Sequence, residues 1–187
     1  MAQVSTNDLK VGMKVEVDRD PYLVISNEFV KPGKGQAFNR IKLKNMVSAR
    51  VVERTFKSGE KLDLADIEEA EVNFVYMSGE DAVFMDEKTF DQITIDKDLL
   101  GDKVQWLKPE VLYHVVFYKG SPIEIVPPTF MEMTVVETAP GLRGDTSGRV
   151  LKPAVTDTGA KIQVPIFVEE GERIKVDTRT CEYVSRI

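Results

Sequence analysis

The run LKVGMKVEVD, Leu9–Asp18, alternates apolar and polar residues, with Val11, Met13, Val15 and Val17 two apart. A spacing of two is the repeat of an extended strand, so these four side chains fall on one face of a sheet. The same pattern returns along the chain. FNRIKLKNM sends Ile41 and Leu43 to one side and Arg40, Lys42 and Lys44 to the other. AEVNFVYMSGEDAVFMD is two strands around SGED, and EVLYHVVFYKGSPIEIV two more around KGSP, each a hairpin signal. Near the C-terminus Ile162, Val164, Ile166 and Val168 alternate, as do Ile174 and Val176. Apolar residues at the 3.6-residue spacing of a helix never persist for three turns, and EKTFDQITI has room for one. The chain is therefore expected to be all-β, built from short strands.

Pro127 and Pro128 make a stiff extended pair that cannot continue a sheet and reads as a linker. Together with the turn KSGEK, it divides the 187 residues into three β units, 1–65, 66–128 and 129–187. A unit of about sixty residues buries only about 60% of its unfolded surface, so each is expected to lean on its neighbours. Pro165, inside an alternating run, points to an edge strand or a bulge.

The formal net charge of −6 speaks against a nucleic-acid partner when taken globally. Its distribution speaks otherwise. Residues 1–65 hold 12 Lys and Arg against 8 Asp and Glu, residues 66–128 hold 5 against 14, and residues 129–187 hold 8 against 9. Such asymmetry marks a molecule whose ends face different partners. No apolar run approaches the roughly 18 residues of a membrane span. MAQVSTNDLK has neither the basic start nor the apolar stretch of a secretion signal, so a cytoplasmic location without a membrane partner is expected. The single cysteine, Cys181, excludes an internal disulfide and reads as a small packing residue. The single histidine, His114, has no partner at metal-ligand spacing and reads as a hydrogen-bonded strand residue. With no nucleophile motif or paired carboxylates either, no enzyme chemistry, metal or cofactor is expected.

FVKPGKGQAF, Phe29–Phe38, lies between two strand-like runs and sets Lys34 between Gly33 and Gly35. A phosphate-binding loop needs Gly-Lys followed by Ser or Thr at the start of a helix. Here Gly35, Gln36 and Ala37 follow and lead into a strand. A tight turn accounts for Pro32 at its first central position and for Gly33 as the source of a positive φ. It leaves unexplained a lysine at the tip between two residues without side chains, where something narrow could approach it or it could enter something narrow. GLRGDTSGR, Gly141–Arg149, is either an ordinary long β-loop or a polar loop whose amides and hydroxyls suit phosphates and base edges.

KPGKGQAF resembles the modification loop of the bacterial elongation factor P family, and IKLKNM after it resembles that family's next strand. KPAVTDTGAKIQVPIFVEEG, Lys152–Gly171, is similar to the family's C-terminal pattern, with Lys152, Ala154, Gly159, Ile162, Val164-Pro165, Val168 and Gly171 at its spacing. GDT at Gly144–Thr146, IKVDTRT at Ile174–Thr180, Tyr183 and Arg186 also match, so the resemblance spans all 187 residues. VSARVVE lacks a glycine often found there, and Cys181 stands where the family usually has glycine.

The resemblance implies an SH3-like, KOW-type barrel carrying the Lys34 loop, followed by two OB-fold barrels in an L-shaped, tRNA-like arrangement. It implies a monomeric, non-enzymatic factor that binds the 70S ribosome between the P and E sites and contacts ribosomal RNA and P-site peptidyl-tRNA. Such a factor stimulates peptide-bond formation and relieves stalling at consecutive prolines. By resemblance Lys34 is the modified residue, within the loop of Lys31, Pro32, Gly33, Gly35 and Gln36, and is β-lysylated by an enzyme similar to lysyl-tRNA synthetase. Arg40, Lys42 and Lys44 would meet tRNA phosphates, while Gly144, Asp145, Thr146, Arg149, Tyr183 and Arg186 would meet the small subunit and message. Two other readings stay open: an elongation factor P-like paralogue without the adduct, and an OB-fold binder of single-stranded RNA. The last needs an aromatic platform along a basic groove, whereas the aromatics here are expected mostly at alternating core positions.

Overall fold

Three sheets account for nearly all the regular structure in the computed structural model, which describes residues 2–140 and 150–187. The first holds β1 (Gln3–Ser5), β2 (Lys14–Val17), β3 (Asp20–Val30), β4 (Phe38–Asn45), β5 (Val51–Lys57) and β6 (Lys61–Leu64), in the order β1-β6-β2-β3-β4-β5. Alternation in β4 is complete: Asn39, Ile41, Leu43 and Asn45 are buried, while Arg40, Lys42 and Lys44 are exposed. Ile41 and Leu43 pack with Val15, Val17, Val24 and Leu62 in one core. Val11 departs from the expected face and is 70% exposed. Gly12, at φ +91°, turns the chain there, so β2 begins only at Lys14.

The second sheet holds β7 (Ile67–Ser78), β8 (Asp81–Asp86), β9 (Gln92–Ile95), β10 (Leu112–Tyr118) and β11 (Ser121–Val126), in the order β11-β10-β7-β8-β9. Both expected hairpins are present, turning at Gly79-Glu80 and Lys119-Gly120. The helical turn expected within EKTFDQITI lies further on. That segment becomes a turn and β9, while α1 (Lys97–Leu100) and a 3-10 turn, Gly101–Trp106, follow it. Asp96 starts the helix by accepting the Leu99 amide at 2.8 Å, and Leu100 and Trp106 are its buried anchors. The His114 side chain is exposed on β10 and makes no hydrogen bond among the described residues, contrary to expectation.

The third sheet closes on itself. Its strands β12 (Phe130–Thr138), β13 (Leu151–Thr156), β14 (Lys161–Pro165), β15 (Arg173–Asp177) and β16 (Glu182–Arg186) form a barrel in the order β12-β13-β14-β16-β15. Met133, Val135, Ile162, Val164, Ile174 and Val176 fill it. Pro165 marks neither an edge nor a bulge: it is the last residue of β14, opposite Leu151, where the ladder ends and its missing N–H costs little. Cys181 is not a packing residue. It is exposed in the turn before β16 at φ +59°, a left-handed conformation that glycine adopts more readily than a residue with a Cβ.

The chain forms two compact units, residues 1–69 with 115–124, and residues 70–114 with 125–187. Within the first, the Tyr118 hydroxyl donates to Glu16 Oε2 at 2.6 Å, and Lys119 Nζ lies 2.9 Å from the same oxygen. Within the second, Trp106 is buried in the barrel core, and the Tyr113 hydroxyl donates to its carbonyl at 2.7 Å. Lys108 adds bonds from Nζ to the Glu132 carbonyl and to Asp157 Oδ2, both 2.9 Å. No helix among the described residues is long and apolar enough to cross a membrane, and no metal-binding cluster of His, Cys, Asp and Glu occurs among them.

Candidate functional site

In the β3–β4 hairpin, β4 is paired on both edges up to the tip, while beyond Val24 β3 is paired along its β4 edge. Pairing runs from Tyr22 opposite Asn45 to Val30 opposite Phe38, leaving seven residues, 31–37, for the connection. On the other edge of β4, Phe38 pairs with Lys57, and the Ser58 amide donates to the Ala37 carbonyl at 3.1 Å. The feet of the loop are therefore fixed while its tip is open. Lys31, Gly33, Lys34, Gly35 and Gln36 are exposed, and Pro32 is half-buried. Gly35, not Gly33, supplies the positive φ, at +115°. A Cβ there would meet Pro32 Cγ at an ordinary 3.8 Å, so backbone conformation, not space, calls for glycine. Lys34 has neither ion pair nor hydrogen bond among the described residues, which leaves a primary amine on a short arm above a rigid base.

Arg40, Lys42 and Lys44 do share one exposed face of β4. They are not equally available. Arg40 lies between two carboxylates, 3.6 Å from Glu28 and 3.6 Å from Glu53, whereas Lys42 and Lys44 have no ion pair among the described residues. A pair this exposed is worth little, so a phosphate would compete with these carboxylates without a large cost.

The opposite face of the hairpin holds a feature that sequence reasoning missed. Asn27 donates through Nδ2 to the carbonyls of Thr6 (2.8 Å) and Leu9 (3.0 Å), and Asn39 Nδ2 donates to Asn27 Oδ1 at 3.0 Å. This amide pair ties the N-terminal segment under the strands that bear Lys34. Two asparagines at inward positions of adjacent strands were its only signal.

In the closed barrel, Tyr183 is half-buried and Arg186 exposed, and both converge on Phe167. The Phe167 and Tyr183 rings meet edge-on at 6.5 Å and 78°, and the Arg186 guanidinium carbon lies 5.0 Å from the Phe167 centroid. Phe167 falls in the register opposite Ile162, Val164 and Val168 and is 48% exposed, and Phe29, Tyr76, Phe90 and Phe130 are exposed to similar or greater extents. Gly144, Asp145, Thr146 and Arg149 lie outside the described residues.

Three family profiles match in succession: the elongation factor P KOW-like domain over residues 5–62, its OB domain over 67–125, and its C-terminal domain over 131–186. The chain is 61% identical over 188 residues to elongation factor P 2 of Protochlamydia amoebophila (strain UWE25), covering 100% of this chain and 99% of that one. It is 57% identical, with the same coverage, to elongation factor P 2 of Chlamydia caviae. Among solved structures, eukaryotic translation initiation factor 5A from Methanococcus jannaschii superposes with a TM-score of 0.56 at 21% identity, over 67% of this chain and 92% of that chain. An eIF-5A family protein from Naegleria fowleri superposes at 0.51 and 16%, over 67% and 97%. These last two likenesses concern the fold, mostly β with KOW-like and OB barrels. With a profile on each segment and more than half of all positions identical along the full length, the chain belongs to the elongation factor P family, translation factors that are not enzymes.

Proposed function

We propose that this factor binds the ribosome between the P and E sites, steadies P-site peptidyl-tRNA through a modified Lys34, and so relieves stalling at consecutive prolines. One observation carries the reading: an unpartnered Lys34 amine stands on an open seven-residue tip whose feet pair with each other and whose β4 foot is also paired with β5. β-Lysylation by an enzyme similar to lysyl-tRNA synthetase turns the Lys34 ammonium into an amide and adds two amines, lengthening the arm and raising its charge. Proline is a slow acceptor because its ring constrains the attacking nitrogen. Holding the partner substrate in reactive geometry lowers the entropic part of that barrier without any chemistry by the factor. A tenfold rescue requires only about 1.4 kcal/mol, within reach of one or two charge-assisted bonds to phosphate.

In this reading Lys42, Lys44 and, after release from its carboxylates, Arg40 meet tRNA phosphates. Gly144, Asp145, Thr146, Arg149, Tyr183 and Arg186 serve the small subunit and message. The protein works in the cytoplasm as a monomer of three domains, 1–65, 66–128 and 129–187. Mass measurement of the Lys34 peptide, from protein purified out of its own host, tests the adduct. Lys34→Arg is expected to keep fold and charge but lose stall rescue, because a guanidinium is not acylated by that route. Full rescue by this variant would sink the reading. The second reading is a paralogue in which Lys34 stays bare. An unmodified peptide under healthy growth would select it.

A further inference from the structure

We infer that Phe167 is the base-stacking surface of an RNA contact at one end of the closed barrel, with Tyr183 and Arg186 as its supports. The inference rests on the proposed contact of this barrel with the small subunit and message, and it names the chemistry of that contact: an unpaired nucleobase. Phe167 follows directly on β14, two residues past the point where Pro165 faces Leu151. Tyr183 and Arg186 come from β16, which runs parallel to β14 with Gln163 opposite Glu182. The two ends of the β12–β13 connection, Thr138 and Leu151, leave from the same rim: the Thr138 amide donates to Glu170 Oε1 at 3.1 Å, and Leu151 faces Pro165. The rim that launches that polar connection therefore also carries the aromatic.

A phenyl ring that served only to fill the core would be covered, and this one is 48% exposed. Its ring meets the edge of Tyr183 and the guanidinium of Arg186. That pairing of an aromatic face with a stacked guanidinium is how single-stranded RNA bases are received, because every base has a π-face and the cation answers the neighbouring phosphate. The ring is also held in place. Tyr183 packs against the barrel core, and Arg186 is steadied by Glu172 at 3.4 Å, so little side-chain freedom is lost when a base arrives.

The test uses the full chain and ribosomes carrying P-site tRNA and message, at fixed salt. Leucine retains apolar area but has no π-face, and tryptophan enlarges the π-face. Stacking predicts that Phe167→Leu weakens ribosome affinity about tenfold, while Phe167→Trp stays within about twofold of the parent. Circular dichroism melts confirm that both variants are folded. A benzoylphenylalanine photoprobe at position 167 is expected to attach to RNA. Phe167→Leu binding as tightly as the parent, or adducts to ribosomal protein alone, overturns the inference and leaves the proposed function standing. Failure of the parent chain itself to bind ribosomes overturns both.

Discussion

Replacing Tyr113 by phenylalanine removes one oxygen from a site where nothing else changes. Tyr113 is fully buried, and its ring meets Phe84 edge-on at 5.6 Å, a contact phenylalanine keeps. Its hydroxyl donates to the Trp106 carbonyl at 2.7 Å and accepts the Lys108 amide at 2.8 Å. Removal leaves two backbone groups unpaired beside a tryptophan that is 3% exposed. A buried polar group without a partner costs about 1–3 kcal/mol, and the Lys108 amide is only partly covered. The expected loss is therefore about 2–4 kcal/mol, a drop of roughly ten degrees or more in Tm for a unit of about a hundred residues. Trp106 is the only tryptophan, so its fluorescence reports unfolding of this unit directly. Burial pushes the Tyr113 pKa up to about 12. The hydroxyl thus stays a neutral donor, and the loss is expected to be constant from about pH 6 to 9. A loss below about 0.5 kcal/mol, or unchanged hydrogen-exchange protection at the Lys108 amide, would refute the argument.

Other outcomes follow from single sites. Hydrogen bonds from Tyr118, then Lys119, lower the Glu16 pKa, so this contact stabilises above the ordinary glutamate value of 4.5 and is lost as pH falls through the folded value. Tyr118, through burial and then Glu16, and Lys119, through Glu16, are shifted upward, so their share is present below 10.0 and 10.5 and fades as pH rises further. Glu16→Gln is expected to shrink the acid limb of a Tm-against-pH curve, leaving the part that comes from Asp86 and Asp177, and an unchanged limb would contradict this. Cys181→Gly relieves the left-handed Cβ and is expected to raise stability by about 0.5–1 kcal/mol, read from the denaturation midpoint. Ile41→Ala, at a fully buried site on the strand that carries the Lys34 loop, is expected to cost about 2–5 kcal/mol by chemical denaturation. Ribosome affinity is expected to fall steadily with added salt as phosphate contacts release counterions, and a flat dependence would remove Lys42 and Lys44 from the interface.

What the sequence disclosed follows the range of the interaction. Alternation in β4 and the two-residue turns are decided by neighbours two or three positions away, and they were legible. So was the Lys34 loop, whose oddity lies in its immediate flanks. Val11 was misplaced because one glycine at φ +91° outweighed a four-residue pattern. Trp106 gave no sign of its role, since a tryptophan in a short 3-10 turn acquires meaning only when a barrel that begins some twenty-five residues later closes over it. The Phe167 cluster was hidden for the same reason in stronger form. Phe167 and Tyr183 are sixteen residues apart and meet because β16, after pairing with β15, closes the barrel against β14 in parallel. Alternation puts Phe167 on the wet side, in the register opposite Ile162, Val164 and Val168, and that is where it lies. What alternation cannot supply is its neighbours across the closure of the barrel, Tyr183 and Arg186. Rims are thus where a pattern-based reading of a small β-barrel says least, because the partners of an outward side chain there come from strands distant in sequence.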